Sequence, residues 1–188
     1  PVSEPLPFTD VSETAWYYDD VRYAYENGLM TGTAETAFSP SDETDRAMIV
    51  TILWRLEGSP ESDRTGFDDV AAGAYYADAV AWASGNGIVE GYEDGNFRPS
   101  NVITREELAT IIYRYAAFKE YDMTASADLS SFTDADQISS YALSALRWAN
   151  AEGLVNGVGG NLIDPKGSAQ RSQVAAIFSR FCQNIAEL

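Results

Sequence analysis

The sequence of 188 residues contains no histidine and only one cysteine, Cys182. Without histidine, the chain lacks the most common general base and the most common zinc ligand of proteins. A single cysteine can form neither an internal disulfide nor a thiolate metal cluster. No apolar run reaches 18 residues, which excludes a helix that spans a membrane. From these absences we expect no metal site, no cofactor and no insertion into a membrane.

Positive charge is also scarce. The chain has 12 lysines and arginines against 29 aspartates and glutamates, so its net charge is −17. This balance argues against binding to nucleic acid or to an anionic bilayer. Hydrophobic residues make up 45% of the chain and aromatic residues 12%, which argues against disorder despite the charge. The chain begins at Pro1, so we interpret it as processed or cut, and the lack of a signal peptide excludes nothing.

What the sequence does contain is one unit repeated three times. Four landmarks return in the same order: Phe-x-Asp, Gly-apolar-x-x-Gly, an apolar residue two positions before a proline, and a segment around an arginine. Polar connectors at about 58–66 and 120–131 separate the copies. We therefore predict three repeats at residues 1–57, 58–119 and 120–188. The arginines, which lie 59 and then 66 residues apart, are Arg46, Arg105 and Arg171.

Each repeat is predicted to contain two helices joined by a loop. The first helix is expected over Trp16–Asn27 in the first repeat, because Tyr17, Val21 and Ala24 share one helical face. A glycine then fits the left-handed residue that follows a helix. The three glycines at this position are Gly28, Gly87 and Gly153.

The second helix of each repeat is predicted to begin near Asp45, Thr104 or Gln170. Thr104 and Glu107 form a complete capping box, whereas Gln170 is a poor cap. The bodies of these helices are apolar, and a unit of about 55 residues buries little surface alone. We therefore expect an all-α fold of three tandem helical hairpins, whose second helices pack together in one pseudo-threefold body.

The landmarks together resemble the S-layer homology domain, a cell-wall anchoring module of bacteria that usually occurs in three tandem copies. The resemblance extends from Phe8 to about Phe181. It implies a three-pronged body around a central three-helix bundle. It also implies a partner, the secondary cell-wall polysaccharide, which is often capped by ketal-pyruvylated N-acetylmannosamine and lies in grooves between prongs. By this resemblance the chain is an extracellular, non-catalytic part of a larger surface protein, associated with the cell wall or the S-layer.

The resemblance also carries a set of ligand-binding residues onto this sequence. The arginine of the family's Thr-Arg-Ala-Glu motif meets the pyruvyl carboxylate, and it corresponds to Arg46, Arg105 and Arg171. Three aspartates face the groove, two aromatic residues take the family's aromatic position, and three glycines bring backbone close to the sugar. These residues are Asp10, Asp69 and Asp134, Trp16 and Tyr75, and Gly32, Gly91 and Gly157, and Thr104 is carried over with its motif.

The implied chemistry is reasonable on physical grounds. An arginine in the first turn of a helix lies beside unpaired N–H groups and the positive end of the helix dipole, so a carboxylate can bind both. This requires guanidiniums that are not sealed from solvent. We rank Arg105 first and Arg46 second, since Asp45 adds negative charge beside it. Arg171 comes last, because its helix cap is poor and Ser140 stands at the aromatic position.

Other roles stay open for the same residues. The three arginines can pair with nearby acids, the aspartates can cap the first helices, and Trp16 and Tyr75 can be packing residues. A second recurrent arginine, at Arg55, Arg114 and Arg180, is interpreted as structural because it lies near helix ends. A protein-interaction or architectural module with degenerate grooves is the alternative function. No pair of carboxylates stands out from the repeats, so we do not expect catalysis.

Overall fold

The computed structural model describes residues 5–62 and 67–187. Within them it contains two short 3-10 helices, at Ala135–Gln137 and Ser140–Ala142, and no β-strand. The all-α prediction is confirmed for these residues. Part of the connector predicted at about 58–66, including Gly66, lies outside the described residues. The first residue, Pro1, lies outside them too. The α-helices are α1 (Tyr18–Glu26), α2 (Arg46–Leu56), α3 (Ala77–Gly85), α4 (Arg105–Phe118), α5 (Leu143–Ala151) and α6 (Arg171–Asn184).

The first helix of each repeat, α1, α3 or α5, spans nine residues and ends just before a left-handed glycine. Gly28, Gly87 and Gly153 have φ values of 68°, 71° and 70°, which confirms the prediction made for them. The amide N–H after Gly28 donates to Ala24 O at 2.9 Å, so the chain folds back onto the last turn. α1 begins two residues later than the predicted start at Trp16.

The second helices α2, α4 and α6 begin at the predicted caps. The carboxylate of Asp45 accepts the backbone N–H of the third residue after it at 2.8 Å. Thr104 N donates to Glu107 Oε2 at 2.9 Å and Glu107 N donates to Thr104 Oγ1 at 3.3 Å, which confirms the capping box. Gln170 is assisted by Gln173, whose Oε1 accepts from Gln170 N at 3.3 Å.

The helices pair across the repeat boundaries. α2 packs on α3, α4 packs on α5, and α6 packs on α1. The second helix of the first and of the second repeat therefore packs on the first helix of the repeat that follows, and the second helix of the third repeat packs on the first helix of the first repeat. The sequence instead predicts a hairpin of two helices within each repeat. The loop over residues 27–45 explains the difference, because so long a connection does not force two consecutive helices to be neighbours as a short one does.

The chain forms two compact units that follow this pairing. The first unit contains the chain up to Glu43 together with the segment from Gln170 onward, and so holds α1 and α6. The second unit is Thr44–Ala169 and holds α2 to α5. The repeat boundaries at residues 1–57, 58–119 and 120–188 stay a prediction.

Within the second unit, three backbone hydrogen bonds close a ring. Thr44 N donates to Ala169 O at 3.0 Å, Ala169 N to Ile103 O at 3.1 Å, and Ile103 N to Thr44 O at 2.9 Å. All three residues are buried, and each lies two residues before a motif arginine. A threefold relation among the repeats predicts such a ring. The pseudo-threefold body as a whole, with its central three-helix bundle, stays a prediction.

Candidate ligand-binding groove

The three motif arginines lie inside the protein. The exposed fraction is 7% for Arg46, 5% for Arg105 and 4% for Arg171. Each guanidinium donates from Nε and from Nη2 to two backbone carbonyl oxygens of the loop of another repeat, at 2.6 to 3.2 Å. The acceptors are Phe97 and Glu90 for Arg46, Ile163 and Asn156 for Arg105, and Phe38 and Thr31 for Arg171.

Aromatic rings cover two of these guanidiniums. The Cζ atom of Arg46 lies 4.8 Å from the ring centre of Phe97, and that of Arg171 lies 4.7 Å from the ring centre of Phe38. Both rings are fully buried. The carbonyl oxygens and the ring face together replace the water that a buried guanidinium loses.

This placement favours a structural role for the motif arginines. Burial lowers the pKa of Arg105, and the carboxylates of Asp164 and Asp134 partly offset that effect. The side chain stays charged, since arginine does not lose its proton in proteins. The expected open guanidiniums are therefore not found: each arginine holds a loop in place, mainly through backbone carbonyls rather than through acids. Direct contact between these residues and a ligand stays a prediction.

The motif aspartates fasten the same loops. The carboxylate of Asp10 accepts two backbone N–H groups, from Phe38 at 2.8 Å and from Ser39 at 2.7 Å. Burial raises the pKa of Asp10, but these two bonds, together with the backbone N–H of Asp10 itself and the charge of Arg171, leave the pKa below its usual value. The first helices have no side-chain cap, so the capping role considered for the aspartates is not what the structure shows. The same pairs of bonds join Asp69 to Phe97 and Arg98, and Asp134 to Ile163 and Asp164.

The second N–H that each aspartate receives belongs to a residue with a left-handed backbone. Ser39, Arg98 and Asp164 have φ values of 57°, 58° and 53°, and each of them precedes a proline. A side chain other than glycine is strained in this region. The carboxylate therefore stabilises the one residue of each loop whose conformation is costly.

The predicted glycines are required by close packing. A Cβ atom on Gly91 would lie 2.3 Å from Cε1 of Phe67, which is far closer than any real contact. This steric need does not depend on a ligand, and the approach of a sugar to these glycines stays a prediction. The corresponding distances are 2.6 Å between Gly32 and Phe8 and 3.0 Å between Gly157 and Phe132.

The predicted aromatic residues lie at the surface. Trp16 is 63% exposed and Tyr75 is 61% exposed. Each meets the next residue edge to face, with ring centres 5.2 Å apart for Trp16 and Tyr17 and 5.0 Å apart for Tyr75 and Tyr76. Their ring faces are therefore accessible, which favours a recognition role over the packing alternative.

The third repeat also has an aromatic residue at this position, Tyr141, whereas the spacing from Phe132 had placed Ser140 there. Tyr141 is 55% exposed and lies two residues before α5 begins, as Trp16 does before α1 and Tyr75 before α3. Counting forward from Phe132 leads to Ser140, because the segment with the two 3-10 helices is one residue longer. Counting back twelve residues from the helix-ending glycine finds the right residue in all three repeats.

A cavity of about 280 Å³ opens beside Tyr141 in the second unit. Two of its lining residues, Arg46 and Gly91, are predicted site residues, whereas Glu90, Tyr92, Arg114 and Tyr141 were not predicted to bind a ligand. Thr104 takes part through its capping box, which holds Glu107 at the cavity wall. We call this cavity the Tyr141 groove and define it by its lining residues Arg46, Glu90, Gly91, Tyr92, Glu107, Arg114 and Tyr141.

Charges of both signs line the Tyr141 groove. Arg46 Nη1 lies 3.9 Å from Glu107 Oε1, and Arg114 Nη2 lies 3.2 Å from Glu90 Oε2. The hydroxyl of Tyr92 donates to Glu107 Oε1 at 3.5 Å. Two guanidiniums and two carboxylates thus balance locally, although the chain carries a net charge of −17.

Tyr141 is positioned by a buried glutamate. Glu106 is 2% exposed and accepts hydrogen bonds from Ser139 N at 2.9 Å, from Tyr141 OH at 3.2 Å and from Lys166 Nζ. Burial raises the pKa of Glu106, but the bonds from Lys166 and Ser139 outweigh that effect and lower the pKa. Burial and the nearby carboxylates raise the pKa of Tyr141, so its hydroxyl keeps the proton that it donates.

Arg114 is the second residue whose location the sequence did not predict. It lies four residues before the end of α4, and its side chain is 34% exposed. The repetition of Arg55, Arg114 and Arg180 singles the position out, but repetition alone cannot tell a helix-end residue from one that faces a cavity.

Within residues 5–62 and 67–187, no group of acidic and cysteine side chains could hold a metal ion, and no helix is long and apolar enough to cross a membrane.

Comparison with known proteins finds relatives of several kinds. The chain is 31% identical over 185 residues to an endoglucanase of Bacillus sp. (strain KSM-635), covering 98% of this chain and 19% of that protein. It is 32% identical over 190 residues to the surface-layer 125 kDa protein of Lysinibacillus sphaericus, covering 98% and 16%. It is 33% identical over 176 residues to an amylopullulanase of Thermoanaerobacterium thermosulfurigenes, covering 90% and 9%. The chain thus spans a fifth or less of the length of these relatives.

The model of one protein family matches the chain three times. The family is the S-layer homology domain, and the matches cover residues 7–47, 66–109 and 131–175. Domains of this family bind components of the cell wall, occur in larger surface proteins and anchor those proteins to the wall, which places the chain outside the cell in association with the wall. The matched segments contain the arginines, aspartates and glycines whose contacts recur from repeat to repeat. By these matches, the chain belongs to the S-layer homology domain family.

Proposed function

We propose that this chain is a non-catalytic adhesion module that holds a larger surface protein to the wall by binding an acidic wall polysaccharide in the Tyr141 groove. The sugar that fits best is a pyruvylated amino sugar, because its ring has an apolar face and its ketal carries a carboxylate. The observation that supports this most is the combination, in one groove, of an exposed aromatic ring, two guanidiniums and a glycine backbone.

The size of the groove suits a single sugar unit. At about 30 Å³ per water molecule, its 280 Å³ would hold roughly nine waters. That space accommodates one substituted pyranose. We therefore propose that one sugar ring, such as the terminal sugar of a polymer, occupies the groove.

The comparisons support a non-catalytic role. Relatives named endoglucanase, amylopullulanase and surface-layer protein share this segment, which is a small part of each. Two of those names describe different activities and the third describes none. A segment common to all three fits a shared location better than a shared reaction.

The acidity of the chain confines recognition to local contacts. A net charge of −17 repels an anionic polymer, but screening limits this repulsion to roughly 8–10 Å at moderate salt. Binding should therefore strengthen modestly as salt rises from very low values. A steep loss of affinity with salt would indicate a broad electrostatic contact instead.

We also propose ligand contact for the predicted residues outside the Tyr141 groove, because they occupy equivalent positions in the repeats. Arg105 and Arg171 make the same loop bonds as Arg46, so each holds a loop of the same design in place. Contact with sugar is a proposal for the remaining residues too, namely Asp10, Asp69, Asp134, Trp16, Tyr75, Gly32 and Gly157.

Sedimentation with purified cell walls tests the proposal. The chain should sediment with intact walls and stay in solution after the polysaccharide is stripped from them. Tyr141→Ala should weaken sedimentation, whereas Tyr141→Phe should retain most of it because the ring face remains. Leu143→Ala, which changes an exposed apolar side chain two residues further along, is the matched control. Equal sedimentation with stripped walls would contradict the proposal.

A protein-interaction or architectural module is the second candidate function. The burial of Arg46, Arg105 and Arg171 favours it, since these residues hold loops whether or not a sugar binds. Thermal unfolding separates the two candidates. A pyruvylated N-acetylmannosamine glycoside should raise the melting temperature of an anchoring module and leave that of an architectural module unchanged.

A further inference from the structure

We infer that Arg114 receives the acidic group of the ligand, and that Glu90 is a built-in competitor that occupies Arg114 until such a ligand displaces it. The inference rests on the proposed function of the Tyr141 groove and names the residues that give that groove its selectivity. It differs from the expectation for the family motif, which assigns the acid to Arg46.

Arg46 is poorly placed to bind a carboxylate with two parallel hydrogen bonds. Its Nε and Nη2 atoms already donate to the carbonyl oxygens of Phe97 and Glu90, at 3.0 and 3.2 Å. The side chain is 8% exposed and lies against the Phe97 ring. Nη1, which lies 3.9 Å from Glu107 Oε1, is the one nitrogen for which no such carbonyl bond is seen among the described residues, so Arg46 can meet a ligand there without moving. A bidentate grip through Nε and Nη2 would instead take the donors away from two carbonyl oxygens, which is costly in a buried site.

Arg114 is placed differently. Its side chain is 34% exposed, and its Nη2 donates to Glu90 Oε2 at 3.2 Å. The carboxylate of Glu90 is 73% exposed, and ion pairs between exposed side chains contribute little to stability. Among the described residues, the planar guanidinium of Arg114 has one weak ion-pair partner, Glu90, and it is therefore available to a carboxylate that brings further contacts.

Glu90 joins the two arginines through different atoms. Its carbonyl oxygen accepts from Arg46 Nη2, while its carboxylate accepts from Arg114 Nη2. The backbone of Glu90 is thus held in place, and its side chain is free to leave Arg114 without disturbing the loop. This separation allows a ligand to exchange with the carboxylate while the groove keeps its shape.

Glu107, the other carboxylate of the groove, is not exchangeable in this way. Its Oε2 accepts from Thr104 N at 2.9 Å in the capping box, and its Oε1 lies near Arg46 and Tyr92. Its side chain is 22% exposed. Glu90 is therefore the carboxylate whose place an acidic sugar can take.

The test measures the affinity for two probes, the methyl glycoside of ketal-pyruvylated N-acetylmannosamine and the methyl ester of the same compound. The ester removes the charge and keeps the shape. Glu90→Gln should tighten binding of the acid about two- to fivefold, as expected when an exposed competing pair is lost, and should leave the ester unchanged. Arg114→Gln should abolish the preference for the acid. Glu93→Gln, an exposed glutamate three residues further along, should behave as the wild type.

The outcomes separate the inference from the proposed function. If the wild type binds walls and the acid, but Arg114→Gln keeps the preference for the acid or Glu90→Gln does not tighten binding, this inference is wrong and the anchoring function stands. If the wild type binds neither walls nor the acid, both are overturned. Thermal unfolding of each variant shows whether it is folded, and Glu90→Gln in the Arg114→Gln background should give no gain.

Discussion

Arg105 Nη2 donates to the carbonyl oxygen of Asn156 at 2.6 Å, across 51 residues of sequence. The bond joins the first turn of the second helix of one repeat to the loop of the next repeat. Nε of the same side chain donates to Ile163 O at 3.1 Å, at the other end of that loop. The motif arginine thus works as a strut between repeats, and this explains why it is buried.

Removing this strut should destabilise the protein. Arg105→Ala leaves two carbonyl oxygens without donors and opens a buried space, so we expect the free energy of unfolding to fall by about 3 kcal/mol. Arg98→Ala is the control, because Arg98 makes its contacts, an ion pair with Asp94 and a stacking contact with the Tyr92 ring, at the surface, where the loss should be much smaller. Urea unfolding measures both variants, and equal losses would contradict a strut role for Arg105.

The carboxylate of Asp10 should make stability depend on pH. Its pKa in the folded protein lies below the unfolded value of about 3.9, so its contribution is present above about pH 4 and is lost as the pH falls through the folded pKa. Asp10→Asn should lower the free energy of unfolding by about 1 kcal/mol at pH 7, and by less at pH 3. Asp42→Asn, which changes an exposed carboxylate in the same repeat, should change little at either pH. An equal deficit for Asp10→Asn at both pH values would show that the charge has no part in holding the loop.

One of the three residues whose backbones form the ring, Thr44, carries a side-chain hydroxyl that a substitution can remove. Thr44 Oγ1 is buried and has no hydrogen-bond partner among the described residues, while Ile103 and Ala169 fill the equivalent positions with apolar groups. Thr44→Val keeps the shape and removes the unsatisfied group, so we expect the free energy of unfolding to rise by up to about 1 kcal/mol. Thr51→Val is the control, because Thr51 Oγ1 donates to Ala47 O at 2.7 Å and its loss should not stabilise. A clear destabilisation by Thr44→Val would mean that the hydroxyl has a partner, such as a bound water.

The motif glycines should tolerate alanine to different degrees. On Gly32 a Cβ would lie 2.5 Å from a carbonyl oxygen of the backbone, and on Gly91 it would lie 2.3 Å from the Phe67 ring, whereas on Gly157 the closest atoms are 3.0 Å away. Overpacking of this kind costs about 1–3 kcal/mol, so Gly157→Ala should destabilise least of the three. Gly73→Ala meets nothing within 4 Å and is the control. Melting temperatures in any other order would show that the loops move to make room.

Local features of the fold could be predicted from the sequence because local interactions determine them. The caps at Asp45 and Thr104 and the left-handed Gly87 follow from chemistry within a few residues, and the structure confirms them. The number of repeats follows from spacing alone, and the family matches support it.

What the sequence could not show depends on distant contacts. Asp10 accepts N–H groups 28 and 29 residues away, a relation that no local pattern reveals. The pairing of α6 with α1 likewise depends on packing between the two ends of the chain. Tyr141 was missed for a simpler reason, since one additional residue before α5 shifts the count.

The most direct test of the account locates the bound sugar. A ¹⁵N-labelled sample should be titrated with the methyl glycoside of ketal-pyruvylated N-acetylmannosamine while the amide resonances are followed. We predict saturable shifts at Gly91, Tyr92 and Tyr141, and at the side-chain N–H of Arg114. Shifts confined to the surface of α1 and α6, or no shifts at all at millimolar sugar, would contradict the claim that the Tyr141 groove is the anchoring site.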